Sequence, residues 1–480
     1  MNDMNTKASA SGSARGRALL RGGFVAGTLL AFAGVSQAQV AAPADDSLTM
    51  KGITLYGIVD IGLQYESHGA PFSDYFPAGS ADIVQKNSDH SEVGATPSNL
   101  SQSRVGLQGI EPLVGDWSGV FKLETFFNPQ SGEISDALKS LTQNNGRSAS
   151  CVGVPATTPC TTQTTNLDSS IAGQLFEQSI VGIASPTYGS FTFGRQNTLL
   201  ADGIAKYDAQ GASQAFSLIG LSGTTAGGGD TQDRRLDSSL KYIANFSGFH
   251  LGALYKFNGA SGSANTAEQA QVGYEFAGAS IDGYYAHVND AVSASAISAA
   301  DMAVLPAGFA PDKSLAATIS DNTTFGVMAN YSLGAPKFFA GYEHIKYVNP
   351  TDPLAAGFDD IGGYKLAFVS NTAFPNAKIL QVFWAGVKFA VNSSFDLTAA
   401  YYGYSQNAYG AGADAGCSST VSGTCSGTEN AVSFSADYRF TKRFDAYAGI
   451  MWTQVKNGLA NGYDLNTSTV DPTIGLRWRF

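Results

Sequence analysis

The side chains of this sequence best suited to proton transfer near neutral pH are its five histidines. A hydrolase would hold one of them with a carboxylate or an amide, beside a serine or an activated water. Asp89 adjoins His90, but the other histidines are scattered, and no GxSxG or HExxH motif occurs. The sequence therefore gives little support to an enzyme. The five positions are His68, His90, His250, His287 and His344.

The four cysteines form two close pairs, Cys151 with Cys160 and Cys417 with Cys425. Neither pair has the CxxC spacing of a zinc site or a histidine nearby, so we expect no bound metal. The glycine-rich stretch Thr225–Asp230 lacks the lysine of a phosphate-binding loop, so we expect no cofactor. If the chain is exported, its cysteines meet an oxidising compartment, which favours two short disulfides, Cys151–Cys160 and Cys417–Cys425.

Residues 1–38 have the three parts of a secretory signal. Four basic residues precede a 14-residue apolar run from Gly22 to Val35, which is too short for a membrane-spanning helix. Ser36 and Ala38 supply the small residues that a signal peptidase reads. We therefore predict a cleaved signal peptide at residues 1–38 and one mature domain at residues 39–480.

The predicted mature chain is acidic and sparsely charged. It holds 24 Lys and Arg against 38 Asp and Glu, a net charge of −14. This balance argues against a nucleic-acid partner, because a phosphate backbone needs a basic surface. Charged residues make up 14% of the chain, against roughly 25% in soluble proteins. Closed β-barrels fit this composition, since alternating apolarity is enough for them to contact membrane lipid.

Alternating polarity predicts the strands. Between Ile53 and Tyr65 the large apolar side chains share one parity, whereas Thr54, Asp60 and Gln64 share the other. This period of two is that of a strand with one apolar face. Similar segments recur along the chain. We predict sixteen strands, near residues 53–65, 102–110, 117–128, 175–185, 190–196, 237–246, 249–258, 268–276, 279–289, 323–333, 337–348, 379–390, 395–404, 430–440, 443–455 and 470–480.

The connections between these strands alternate between short and long. Ser247-Gly248 and Ala277-Gly278 are among the short links, and 197–236 is among the long ones. The apolar piece Tyr364–Ser370 is assigned to a loop, because a seventeenth strand would break the alternation. This pattern predicts an all-β fold, a transmembrane antiparallel β-barrel of 16 strands with short periplasmic turns and long extracellular loops.

Six segments with familiar motifs span nearly the whole mature chain, in order: LYGIVDIGL (55–63), SRVGLQG (103–109), VGIASPTYGSFTFGRQ (181–196), RLDSSLKY (235–242), ADYRFTKRFDAY (436–447) and IGLRWRF (474–480). Together they resemble the general porins of Gram-negative bacteria. The resemblance implies a homotrimeric channel in the bacterial outer membrane, surrounded by its lipid, through which small hydrophilic solutes and ions diffuse passively. It also implies that the terminal Phe480 is the signal read by the outer-membrane assembly machinery.

The same resemblance implies that the third extracellular loop, within 197–236, folds into the pore and faces a basic wall. The first part of this loop carries Asp202 and Asp208. Facing acidic and basic rows across a narrow gap would create a transverse electric field on passing solutes. The inward parity of the strands supplies the residues of the wall: Arg104, Lys122, Arg477 and Arg479, with Asp60, Glu124 and Glu177 among them.

Two other classes of barrel stay open at this point. A receptor or adhesin would display its long loops above a plugged lumen. An outer-membrane hydrolase would need one of the histidines held beside a nucleophile. Conductance of the purified protein in planar bilayers separates a channel from a plugged barrel.

Overall fold

The structure is a computed structural model, and it describes ten stretches of the chain. The predicted signal peptide and the pair Cys151 and Cys160 lie outside them. The described residues are 48–68, 72–75, 91–143, 145–146, 173–221, 234–257, 266–357, 360–418, 422–460 and 467–480.

Strands make up most of the described residues. They are β1 (Leu48–Met50), β2 (Ile53–Glu66), β3 (Glu92–Pro97), β4 (Arg104–Pro112), β5 (Ser118–Phe126), β6 (Gln178–Ser185), β7 (Gly189–Asn197), β8 (Arg235–Phe246), β9 (Phe249–Lys256), β10 (Ala267–Phe276), β11 (Ala279–Ser295), β12 (Ser314–Ser332), β13 (Pro336–Val348), β14 (Asp360–Ile361), β15 (Tyr364–Ser370), β16 (Lys378–Asn392), β17 (Phe395–Gln406), β18 (Gly427–Arg439), β19 (Phe444–Asn457) and β20 (Ser468–Arg479).

The described helices are short. In this part of the chain, none of them is long and apolar enough to cross a membrane. The α-helices are Ala137–Thr142, Leu199–Tyr207 and Ala299–Met302, and the 3₁₀ turns are Ile219–Leu221, Pro311–Lys313, Gly412–Asp414 and Gly458–Ala460.

Sixteen strands, β2, β4–β13 and β16–β20, form one closed antiparallel barrel. The last strand returns to the first, with Arg477 opposite Asp60. The terminal Phe480 completes this seam through two backbone hydrogen bonds with Gly57, of 3.0 and 3.1 Å. Closure pairs the backbone groups at what would otherwise be two open sheet edges. The predicted fold class and strand number are confirmed.

The two faces of each strand differ as the alternation predicts. On β10, for example, Val272 is 60% exposed on the outside of the barrel, whereas Gln269 is 4% exposed on the inside. The short turns also follow from sequence. Both Ser247-Gly248 and Ala277-Gly278 have positive φ at each residue, 50° and 88° in the first and 45° and 81° in the second. Two-residue hairpins favour such turns because their twist matches that of the flanking strands.

The strands predicted from sequence were incomplete at the extracellular end of the barrel, where β11 and β12 are longer than expected and one loop segment is a strand. Tyr364–Ser370 is a strand, β15, although it lies outside the ring, as expected for a loop segment. It pairs in parallel with Ser314–Thr318, the part of β12 that extends beyond its pairing with β13. The hairpin of β11 and β12 therefore projects further than residues 279–289 and 323–333 predicted. Alternation of polarity cannot distinguish a membrane strand from its continuation above the membrane.

The main buried cluster lies inside the barrel. It joins residues of the third loop, such as Leu200, Ile204 and Tyr207, to inward side chains of the wall, such as Met328 and Trp384. The apolar face of the loop helix thus packs on the inner wall rather than facing solvent. The third loop is folded into the lumen, as the resemblance implied.

Candidate functional site

The third loop is attached at its start by a capped helix. Thr198 is the N-cap of the helix Leu199–Tyr207, and its hydroxyl accepts a hydrogen bond from the backbone of Ala201 at 3.1 Å. The backbone N–H of Leu199 donates to Gln269 on β10 at 2.7 Å. These bonds satisfy N–H groups that a helix start leaves unpaired. They also direct the helix along the inner wall.

From the last residue of the helix onward, the loop is bonded to the opposite part of the barrel. Trp384 on β16 donates its indole N–H to the carbonyl of Tyr207 at 3.0 Å. Gln210 donates to Ser433 at 3.1 Å and accepts from Ser435 at 2.7 Å, both on β18. Each bond is buried, so breaking one would leave a polar group without water or a partner. The path of the loop across the lumen is therefore fixed at several points.

The loop then reaches β19 and the seam of the barrel. The ring of Phe216 packs edge-on against Tyr447, with ring centroids 6.4 Å apart. The backbone N–H of Ala215 donates to the carbonyl of Asn99 at 2.8 Å. Within the described residues, the third loop thus contacts the inner wall from β8 to β19. The strands β4–β7 therefore face the loop across the remaining lumen.

The facing wall is organised around Glu124 on β5. Lys122 lies 3.3 Å from its carboxylate, and the guanidinium of Arg104 lies 3.7 Å from it. Tyr56 and Gln178 donate hydrogen bonds to the same carboxylate at 2.8 and 2.7 Å. The structure thus brings Arg104, Lys122 and Glu124 together. One buried carboxylate with four partners also holds the two basic side chains in place.

Three basic residues of this wall were missed from sequence. Arg195 on β7 is bonded to Glu177 at 3.0 Å, and Arg235 on β8 lies 4.0 Å from the same carboxylate. Arg235 also covers the ring of Phe126, with its guanidinium carbon 4.4 Å from the centroid. Lys241 on β8, the third, is also buried inside the barrel. The signal for Arg235 was its place at the end of the third loop, in the RLDSSLKY segment.

Asp202 lies on the loop helix and pairs with Lys241. The ammonium group is 2.5 Å from the carboxylate and also donates to the carbonyl of Asn197 at 2.9 Å. Asn197 in turn donates to Asp202 at 3.1 Å. The negative charge of Asp202 is therefore compensated by Lys241, although Lys122 is also close enough to interact with it electrostatically. Asp202 stands where the loop begins to face the wall.

Asp208 does not line the gap, which corrects the sequence interpretation. It is 1% exposed and accepts hydrogen bonds from the backbone of Gln210 and Ala212 at 3.2 and 2.8 Å. The hydroxyl of Tyr402 on β17 donates to it at 2.7 Å. Parity and composition could not reveal this, because a loop aspartate is polar whether it faces water or closes a turn. Its role here is to hold the loop.

Arg477, Arg479 and Asp60 form a separate group near the seam. Arg477 is bonded to Asp445 at 2.7 Å and lies 3.3 Å from Asp437, and Arg479 contacts the same Asp445 carboxylate. Asp60 accepts from the backbone of Leu100 and Ser101 at 2.9 and 2.7 Å and from the hydroxyl of Tyr447 at 2.5 Å. Both arginines are thus paired with carboxylates of β18 and β19, in a group apart from the one centred on Glu124.

The wall together with Asp202 of the third loop has a small excess of positive charge. It contains five basic side chains and four carboxylates, and one of these carboxylates, Asp237, is 57% exposed. Charges held in a narrow, partly desolvated passage bias which ions enter it. The basic side chains are Arg104, Lys122, Arg195, Arg235 and Lys241, and the carboxylates are Glu124, Glu177, Asp202 and Asp237.

A closed sixteen-stranded barrel with its own loop folded into the lumen is the architecture of an outer-membrane porin. The chain matches the Gram-negative porin family over residues 25–458. It belongs to this family, and it is a protein of the bacterial outer membrane.

Individual relatives are distant. An outer membrane porin protein of Bordetella pertussis is 28% identical over 236 residues, 48% of this chain and 47% of that protein, so the match spans about half of that curated relative. An anion-selective porin from Comamonas acidovorans matches 89% of this chain and 99% of its own, with 17% identity and a TM-score of 0.55. The trimer form of OmpT from Vibrio cholerae matches 89% of this chain and 99% of its own, with 14% identity and a TM-score of 0.51. Because both sequence identities are low, these two structures show only that the fold is similar.

Proposed function

We propose that the protein is a water-filled channel for the passive diffusion of small hydrophilic solutes and ions. The observation that carries this proposal is the third loop, bonded along the inner wall from β8 to β19 and facing the charged group around Glu124. A barrel of sixteen strands is wide enough to keep an aqueous passage beside such a loop. Solutes then move down their own gradients, and no covalent chemistry is required.

The passage is proposed to prefer anions weakly. Five basic side chains against four carboxylates leave a small positive excess at the wall. The Comamonas acidovorans porin, which shares the fold, is anion-selective. The acidic composition of the whole chain, with a net charge of −11, acts in the other direction at long range. Salt screens distant charges more than those lining the passage, so the wall should dominate at high salt.

Purified protein in planar bilayers tests both statements. A diffusion channel should give stepwise, long-lived conductance increments. A salt gradient should give a reversal potential of the sign expected for anion passage. Silent protein that is correctly folded would instead favour a receptor with a plugged lumen, and a reversal potential of cationic sign would refute the preference alone.

The assembly is proposed to be a homotrimer. OmpT of Vibrio cholerae, which shares the fold, has a trimer form, and the exposed apolar outer face of the barrel suits lateral contact as well as lipid. Unheated protein in detergent should migrate far above the protomer mass on a gel. A monomer band after gentle extraction would contradict this.

Export and insertion complete the proposal. We propose that residues 1–38 are removed, so that the mature chain starts at residue 39. The intact mass of the purified protein checks this.

Phe480 is proposed as the residue that the assembly machinery reads. Replacing it with alanine should lower the yield of inserted barrel in cells, while refolding in detergent changes less.

A further inference from the structure

A second apolar cluster lies above the barrel, among the extracellular loops. It joins the helix Ala137–Thr142 to the upper parts of β11 and β12 and to β15. Leu138 and Leu141 of the helix are fully buried in it. Burial of two leucines on a six-residue helix is what stabilises so short a helix. The other buried members are Ala137, Val292, Ala294, Leu315, Ala317, Ile319, Leu354 and Leu366.

Polar contacts fix the same helix at both ends. Asp136 is its N-cap, and the carboxylate accepts a hydrogen bond from the hydroxyl of Tyr364 on β15 at 2.8 Å. Beyond the helix, Asn145 donates to the carbonyls of Pro311 and Ser314, both at 2.7 Å, and accepts from the backbone of Ile297 at 2.7 Å. The side chain of Asn145 thus joins the second loop to both ends of the connection between β11 and β12.

The first loop joins this assembly. The backbone of Asp136 donates to the carbonyl of Tyr75 at 2.5 Å, and Lys139 lies over the ring of Tyr75, 3.9 Å from its centroid. Asn128 and Ser131 donate to the carbonyl of Asp74, both at 2.7 Å. We call residues 72–75, 136–143 and 145–146, β15, residues 292–295 of β11 and residues 314–319 of β12 the outer cover.

The order of the strands places the outer cover across the mouth of the barrel. The second loop leaves between the third and fourth strands of the ring, and its partners β11 and β12 are the ninth and tenth. The first loop leaves beside β2, the first strand. The second loop thus leaves six strands away from the hairpin, slightly more than a third of the way around the ring of sixteen, and the first loop leaves eight strands away from β11, half of the way around. Loops from one wall and a hairpin from the opposite wall therefore meet above the lumen.

We propose that the outer cover is a second size filter, separate from the third loop, which limits bulky solutes on the extracellular side. This inference rests on the proposed function as a diffusion channel. The two filters share no residue, because the third loop packs inside the barrel and the outer cover packs above it. A solute approaching from outside meets the outer cover first, whereas one approaching from the periplasm meets the third loop first.

Polymers of graded size test the proposal on single channels. Polyethylene glycols small enough to enter reduce the conductance, and larger ones leave it unchanged. They are added to one side of the same inserted channel and then to the other. The wild-type protein should show two different size limits. Equal limits on the two sides would overturn the proposal.

Substitutions in the second loop identify the outer cover as the cause. Leu138→Asp buries a charge in the apolar cluster, so the loop should detach, and the smaller limit should rise to match the larger one. Ile134→Asp is the matched control, since Ile134 lies in the same loop but is 37% exposed, and both limits should stay as in the wild type. A smaller limit unchanged in Leu138→Asp would count against the proposal.

A milder variant covers the case in which Leu138→Asp does not fold. Tyr364→Phe removes only the hydroxyl bonded to Asp136, and it should raise the smaller limit in part while the reversal potential stays constant. A limit that does not move in Tyr364→Phe would also oppose the inference. Silence of folded wild-type channels would refute the proposed function itself, whereas open channels with equal limits would refute only the outer filter.

Discussion

Tyr402 on β17 donates its hydroxyl to the carboxylate of Asp208 at 2.7 Å, in the buried interior of the barrel. Asp208 also closes a turn of the third loop through two backbone N–H groups. Asp208, predicted from sequence to line the pore, therefore holds the third loop to β17. Six residues earlier, Asp202 is the loop carboxylate that pairs with a basic residue of the wall.

The two aspartates should respond differently to the same substitution. Asp202→Asn removes a negative charge beside Lys241, so the reversal potential should shift toward anions. Asp208→Asn should leave the reversal potential nearly unchanged, because its carboxylate is bonded to Tyr402 on β17 and to the loop backbone, away from the wall around Glu124. Instead it should weaken docking of the loop by about 1–3 kcal/mol, the usual cost of an impaired buried hydrogen bond to a charged group. Noise in single-channel records measures that loosening.

Each variant serves as the control for the other, since both replace one carboxylate by one amide in the same loop. Equal shifts of reversal potential in the two would mean that Asp208 also faces the passage. No shift in either would place the selective charges elsewhere.

The wall around Glu124 gives a second prediction. Replacing both Arg104 and Lys122 with glutamine should move selectivity toward cations, and Glu124→Gln should move it toward anions. A unit charge at about 4 Å in a watery passage is worth ~1 kcal/mol, so removing one charge changes the permeability of each ion by up to about fivefold, in opposite directions for anions and cations. Reversal potentials in a salt gradient measure both shifts. The prediction fails if the two variants move in the same direction.

The outer face of β10 allows a matched test of orientation. Val272→Arg places a charge on the apolar face and should cost on the order of 2–4 kcal/mol near the middle of the bilayer. Gln271→Arg adds the same side chain one residue earlier, on the inner face, and should cost less than about 1 kcal/mol. Urea titrations of protein folded into lipid vesicles compare the two. Similar costs would show that the register of β10 is wrong by one residue.

Cys417 and Cys425 form a disulfide in the loop between β17 and β18, with their Cα atoms 5.0 Å apart. This bridge gives a further prediction. Closing so short a loop stabilises it by roughly 2–3 kcal/mol relative to the open segment. The double variant Cys417→Ser with Cys425→Ser should therefore lose protease resistance at residues 405–429 while the barrel keeps its conductance. Quantitative thiol labelling of unreduced, unfolded protein counts the bridges. It should find none of the four cysteines free if Cys151 and Cys160 are also bonded.

The sequence by itself determined the barrel. Alternating polarity marks the face that meets lipid, and Gly-containing two-residue turns mark the short side, so fourteen of the sixteen strands could be placed within a few residues, whereas β11 and β12 were predicted too short. Both signals are local, because a strand needs only its own residues to separate an apolar face from a polar one. The grouping of Arg104, Lys122 and Glu124 followed from the same parity, since these residues lie on adjacent strands.

Only the tertiary structure decided which inward charges meet one another and which are compensated. The role of Asp208 depends on Tyr402, and the state of Arg477 depends on Asp445, partners that parity alone cannot assign. The extension of β11 and β12 and the parallel pairing of β15 were likewise beyond the sequence pattern, because they depend on contacts with the second loop. A strand's polarity is set by its own residues, whereas the path of a loop is set by distant residues that bind it.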